Sequence, residues 1–112
     1  MEIIEKRVKQ RKSIIDETAA FSSHLNFKCT SILIGSYARG DFNLWSDIDL
    51  LIIGEFKSKN PIERLKSIDL PPGYEAVLLT AEEMEKMKAK NNKFITEALK
   101  DGIVLRDDFH LL

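Results

Sequence analysis

The spacing of apolar residues along this 112-residue chain predicts alternating helices and strands. Residues 2–25 carry apolar side chains at helical spacing, which predicts a long amphipathic helix. Short aliphatic runs at 27–34, 47–53, 74–79 and 103–105 predict four strands. We therefore expect an α/β (α+β) fold in which a mixed sheet of about four strands carries helices mainly on one face.

Local signals predict further helices in the second half of the chain. Asn60 before Pro61 is typical of a helix start, because the asparagine caps the free N–H groups and proline suits the first turn. Thr80 and Glu83 form a capping box at the start of the next helix. Gly102 is expected to end the last helix. The helix after Pro61 is expected to use an apolar stripe of Ile62, Leu65 and Ile68.

Composition limits the classes of function. With 44% hydrophobic residues, the chain is expected to form one globular domain over 1–112. A net charge of −1 gives no general nucleic-acid or membrane-binding surface, so nucleic acid is not expected as a direct partner. No apolar run approaches the roughly 20 residues of a membrane span. The single Cys29 cannot form an internal disulfide, which is compatible with a cytoplasmic protein.

Two aspartates at the start of the second strand are the first candidate chemical groups. Asp47 and Asp49 are two residues apart, so on a strand both carboxylates lie on one face. Two like charges at that position repel each other, and a hard divalent cation offsets the repulsion. Mg²⁺ prefers oxygen ligands, and two such acids can hold one or two ions. Alone, however, an Asp-x-Asp pair is more often a solvated strand end.

A Gly-Ser turn after the first strand is the second candidate. Gly35 allows the backbone to bend and lets a phosphate approach closely. Ser36 supplies a hydroxyl and is a candidate for the first residue of an anion-binding helix. Arg39 can bind a phosphate or brace the loop, and Ser46 is a candidate for orienting Asp47 by a hydrogen bond.

Two further features of the sequence, the large apolar residues of the loop before Asp47 and a basic cluster in the first helix, each have two interpretations. Phe42 and Trp45 are expected to fix the loop to the core, and the alternative is contact with a base or a protein partner. The basic residues of the first helix are expected to form a solvated face, because acidic residues flank them, and the alternative is contact with nucleic acid or an acidic partner. These basic residues are Lys6, Arg7, Lys9, Arg11 and Lys12.

The combined pattern is more specific than its parts. Residues 35–53, GSYARGDFNLWSDIDLLII, resemble the signature of the polymerase-beta-like nucleotidyltransferase superfamily, most of all its short archaeal and bacterial members, the minimal nucleotidyltransferases (MNT). The likeness is strongest over 31–54 and extends more weakly to Arg106. The resemblance implies one minimal nucleotidyltransferase domain over 1–112. It also implies that two Mg²⁺ ions lie at Asp47 and Asp49, with ATP as substrate and its β- and γ-phosphates at Gly35 and Ser36.

A third acid from the neighbouring strand is general in the superfamily. In many minimal members it is an Asp three residues before the threonine that caps the next helix, and Val77 occupies that position here. Glu75 lies on the same face and is the candidate catalytic acid and metal ligand in its place. The alternative is an exposed strand glutamate.

The resemblance also implies an activity and a partner. Minimal nucleotidyltransferases are often paired with HEPN toxins, which they neutralise by attaching AMP to a tyrosine. We therefore expect a HEPN-type protein partner, and the surface that holds the acceptor is expected from that partner or from a homodimer. One alternative is a binding module that neutralises a partner by contact alone. A small-molecule nucleotidyltransferase is less favoured, because no substrate domain is evident.

Overall fold

The computed structural model describes residues 2–112. The long first helix and all four strands confirm the elements expected from the apolar pattern. In chain order the elements are α1 (Glu2–Ser23), β1 (Cys29–Ile34), α2 (Gly35–Arg39), β2 (Ile48–Gly54), α3 (Pro61–Lys66), β3 (Tyr74–Leu79), α4 (Ala81–Ala89), α5 (Lys93–Asp101) and β4 (Ile103–Asp107).

The four strands form one mixed sheet in the order β3-β2-β1-β4. β1 pairs antiparallel with both β2 and β4, whereas β2 pairs parallel with β3. The parallel pair is possible because α3 carries the chain back between the two strands. The mixed four-stranded sheet confirms the expected α/β (α+β) fold.

The helices are divided between both faces of the sheet, which corrects the expectation that they lie mainly on one. Helix α1 packs on one face, and α4 and α5 pack on the other, which we call the α5 face. The reason is that the two central strands are apolar on both sides, so both sides must be covered. The central side chains of the α1 face are Leu33, Leu50 and Ile52. Those of the α5 face are Ile32, Ile34, Leu51 and Ile53.

The capping predictions are confirmed, but the predicted apolar stripe of α3 holds only in part, because Ile68 is buried just beyond the end of the helix whereas Leu65 is 39% exposed. Asn60 caps α3, and Thr80 and Glu83 exchange the two hydrogen bonds of a capping box. Ile62 is 66% exposed, whereas Arg64 is buried. Arg64 donates to the carbonyl oxygens of Ser58 (2.6 Å) and Leu78 (3.0 Å) and to the Glu83 carboxylate (2.6 Å). Burial of this arginine is possible because its donors are satisfied.

No helix within residues 2–112 is both long and apolar enough to cross a membrane.

Candidate active site

The parallel pairing of β2 and β3 brings two acidic residues together at the start of these strands. Asp49 lies directly opposite Glu75 in the register. Asp49 shares the parity of Leu51, and Glu75 that of Leu79, so both carboxylates point to the α5 face. Asp47 lies one residue before β2 and is exposed. The chain therefore places all three predicted acids at one end of the sheet.

The carboxylates at this end of the sheet repel one another. Partial burial raises the pKa of the Asp49 carboxyl, and the nearby carboxylates of Glu75 and Asp47 raise it further. Arg39 acts in the opposite direction and lowers the pKa of Asp49. A cation bound here would relieve the repulsion between the acids.

Gly35 lies directly against Asp49. Its φ of +75° belongs to the left-handed region that favours glycine. A Cβ atom at this position would come within 2.5 Å of Oδ2 of Asp49. The absent side chain therefore leaves room for the Asp49 carboxylate at the turn where β1 ends. Ser36 lies inside α2 and does not cap it, because the residue at the cap position is Ile34.

A cavity of about 630 Å³ opens beside these groups. It is lined by the predicted residues Gly35, Arg39, Asp49 and Glu75, and by residues of α5 that sequence reasoning did not select, which are Phe94, Glu97, Ala98 and Asp101. A volume of this size is typical of a small-molecule site. The only sequence signal for the α5 residues is their spacing of three or four, which puts Phe94, Glu97 and Asp101 on one helical face.

A family model for the nucleotidyltransferase domain matches residues 1–111. The chain belongs to the nucleotidyltransferase domain family. This family agrees with the resemblance of residues 35–53 to the nucleotidyltransferase superfamily. It supports nucleotidyl transfer as the general type of activity.

The fold is also shared with a solved structure. A crystal structure of a provisionally assigned nucleotidyltransferase from Sulfolobus solfataricus superposes with a TM-score of 0.56 and 20% sequence identity. The match covers 93% of this chain and 86% of the other. At this identity the likeness shows the fold alone. No curated protein matches the sequence at a significant level.

The loop between α2 and β2 of this nucleotidyltransferase domain is held at one end and open at the other. Phe42 is buried and stacks on Tyr37 with ring centroids 4.4 Å apart, so its predicted anchoring role is confirmed. Trp45 is 87% exposed and does not anchor the loop. The Ser46 hydroxyl accepts from the backbone N–H of Asn43 at 2.9 Å, and its predicted hydrogen bond to Asp47 is not present among the described residues.

Arg39 makes a local ion pair. Its Nε lies 3.2 Å from Oδ2 of Asp41, and both side chains are largely exposed. An exposed pair of this kind contributes little to stability. The guanidinium is therefore able to turn toward the neighbouring cavity, which it lines.

Two arginines of α1 reach α2 and the start of this loop, which corrects the expectation of a wholly solvated basic face. Arg7 donates to the carbonyl oxygens of Gly40 (3.3 Å) and Phe42 (2.5 Å). Arg11 donates to those of Tyr37 (2.8 Å) and Ala38 (2.6 Å). The signal missed was the spacing of four residues, which places the two guanidinium groups on one face of the helix.

The donor atoms suit a hard divalent cation. Asp49 and Glu75 offer carboxylate oxygens, and the pKa of Asp49 is raised first by partial burial and then by the neighbouring carboxylates of Glu75 and Asp47. Among residues 2–112, however, no three His, Cys, Asp or Glu side chains lie close enough together to enclose a metal ion. The assignment of Asp47, Asp49 and Glu75 as metal ligands therefore stays a prediction.

Proposed function

We propose that the protein is a Mg²⁺-dependent enzyme that transfers AMP from ATP to a hydroxyl group of a partner protein. The observation that carries the proposal is the position of Asp49 opposite Glu75, with Gly35 packed against the same carboxylate. This arrangement supplies paired oxygen ligands beside a glycine turn that a phosphate can approach.

Each residue has a role in this reaction. Asp47 and Asp49 would hold Mg²⁺, with Glu75 as third ligand or as the base, and the bound metal would stabilise charge on the reacting phosphate. Gly35 and Ser36 would contact the β- and γ-phosphates. The acceptor oxygen forms a bond to the α-phosphorus as the bond to the β-phosphate oxygen breaks. Pyrophosphate leaves with that electron pair, and Glu75 or water takes the hydroxyl proton.

Arg39 and Ser46 complete the proposed nucleotide site. Arg39 lines the cavity, and its exposed pair with Asp41 can exchange for a phosphate oxygen at little cost. Ser46 contributes indirectly, because its hydroxyl holds the turn that leads into Asp47.

The partner is proposed to be a HEPN-type toxin, with this chain as its antitoxin. Leu44 and Trp45 support contact with a protein, because they are 84% and 87% exposed at the turn immediately before Asp47. The turn is ordered by hydrogen bonds from the N–H of Trp45 to the Asn43 side chain and from the N–H of Ser46 to the Asn43 carbonyl. A large exposed apolar side chain on a backbone that is already ordered is typical of a binding hot spot. A homodimer is the alternative source of this contact.

The test uses ATP labelled at the α-phosphate, Mg²⁺ and a lysate of the source organism. Wild-type protein is compared with Asp47→Asn/Asp49→Asn, and Asp16→Asn serves as the control because it removes an exposed carboxylate of α1 that does not line the cavity. We expect a labelled protein band with wild type and Asp16→Asn only. Equal labelling by the double variant would refute the assigned roles.

A second candidate function is a binding module that neutralises its partner by contact. Two observations favour it: Val77 faces the cavity where minimal relatives carry the third acid, and no three-acid cluster forms within the described residues. The two functions differ in one result. Partner capture by Asp47→Asn/Asp49→Asn, without label transfer by wild type to protein or RNA, would favour the binding module.

A further inference from the structure

The segment between the glycine turn and Asp47 is hydrogen-bonded to two arginine side chains of α1. Arg11 donates to two carbonyl oxygens of α2, and Arg7 donates to two carbonyl oxygens at the start of the loop. All four acceptors lie within residues 37–42, between Gly35 and Asp47. Helix α1 therefore contacts the backbone that connects the two halves of the proposed site.

The contacts are of a kind that fixes geometry. The carbonyls of Tyr37 and Ala38 lie in the last turn of α2, where they have no partner inside the helix, so the fork of Arg11 completes their hydrogen bonding. Both bonds involve a charged donor and are therefore shorter and stronger than neutral ones. This end of α2 is thereby prevented from fraying.

Arg7 adds a second restraint at Phe42. Its guanidinium carbon lies 4.6 Å from the centre of the Phe42 ring, and Tyr37 stacks on the same ring. The same arginine also donates to the Phe42 carbonyl. The side chain and the backbone of Phe42 are thus fixed by one residue. Only four residues then separate Phe42 from Asp47.

We infer that Arg7 and Arg11 are positioning residues for the transfer reaction, which hold residues 37–42 so that the Gly35 turn and Asp47 face the same substrate. The expected effect on the rate of transfer rests on the proposed function. The restraint of residues 37–42 by the two arginines does not depend on it. Neither arginine lines the cavity, so they act through the loop and not on the nucleotide.

The experiment compares Arg7→Met and Arg11→Met with Lys9→Met. The control removes the same charge from an exposed position of the same helix. Hydrogen exchange is followed in residues 40–46, where the N–H groups of Gly40, Asp41, Trp45 and Ser46 are hydrogen-bonded, and in residues 50–53 of β2. We expect about tenfold faster exchange in 40–46 for each arginine variant, no change in 50–53, and no change anywhere for the control.

The rate of AMP transfer is measured on the same variants, well below their unfolding temperatures. We expect about a 10- to 100-fold loss of kcat for each arginine variant, because a displacement near 1 Å has that effect on a reacting group. Arg11→Lys should recover part of the rate, since its ammonium can bond one of the two carbonyls. If hydrogen exchange in residues 50–53 becomes faster by the same factor as in 40–46, the arginine variants have lost global stability, and the inference is overturned. Loosening of 40–46 at unchanged kcat would overturn it also. If the wild-type protein transfers no AMP, the proposed function fails. Separately, unchanged hydrogen exchange of residues 40–46 in the arginine variants would refute the restraint itself.

Discussion

Replacement of Gly35 by alanine tests the site without removing a charged group. The new methyl group would lie 2.5 Å from Oδ2 of Asp49, 3.3 Å from its Cγ and 3.4 Å from its Cβ. An ordinary contact of a Cβ atom is 3.4 Å or longer, so the carboxylate oxygen must move by about 1 Å. Because this oxygen is the end of a flexible side chain, the movement costs little stability but displaces a proposed metal ligand.

Gly73→Ala is the matched control. Gly73 has a φ of +83°, close to the +75° of Gly35, but a Cβ there would meet no atom within 4 Å. Both variants should therefore lose about 1 kcal/mol of unfolding free energy from the left-handed backbone, measured by urea denaturation. Since the backbone strain is the same in both variants, weaker metal binding by Gly35→Ala than by Gly73→Ala then reports the contact of the new Cβ with Asp49.

Metal binding can be read from Trp45, the one tryptophan of the chain, which lies two residues before Asp47. Mn²⁺ is added, and quenching of the tryptophan fluorescence is followed. We expect at least about tenfold weaker Mn²⁺ binding and about 100-fold slower AMP transfer for Gly35→Ala, with neither change for Gly73→Ala. Equal Mn²⁺ affinity of the two variants would refute the reasoning.

Three further results are expected. Glu75→Gln should slow AMP transfer about 100-fold in the labelling assay. The double variant Glu75→Gln/Val77→Asp should recover part of the rate, because residue 77 lies on the same strand face as residue 75. Full activity of Glu75→Gln would exclude Glu75 as the third acid. The pKa of Glu83 is lowered from 4.5 to about 2, mainly by its hydrogen bond to Arg64, so its stabilisation is complete above pH 4.5 and is lost as the pH falls toward 2. Since Glu83 is 37% exposed, the loss should be about 1–2 kcal/mol in acid urea titrations, and an equally acid-sensitive Glu83→Gln protein would contradict this origin. Trp45→Ala should weaken partner capture about tenfold without altering unfolding, because its side chain is exposed; capture at wild-type strength would argue against contact at this turn.

Much of the local structure could be predicted because it depends on neighbouring residues. The cap of α3 at Asn60 and the capping box of α4 follow from short sequence signals. Strand positions followed from aliphatic runs. The pairing of Asp49 with Glu75 could be suspected only through family resemblance, because the register of two parallel strands depends on the crossover between them.

The contacts that could not be predicted join residues far apart in the chain. Arg7 and Arg11 look like other basic residues of an exposed helix, and only the packing of α1 beside the loop gives them carbonyl partners 26–35 positions away. Arg64 is buried in place of Ile62 for the same reason, since Leu78 and Glu83 are brought to it by the sheet and α4. The sequence by itself determined the long helix, the strands, the capped helix ends and the acids available for chemistry. The tertiary structure decided which polar groups are partnered, because hydrogen bonds and burial depend on distances that local sequence does not set.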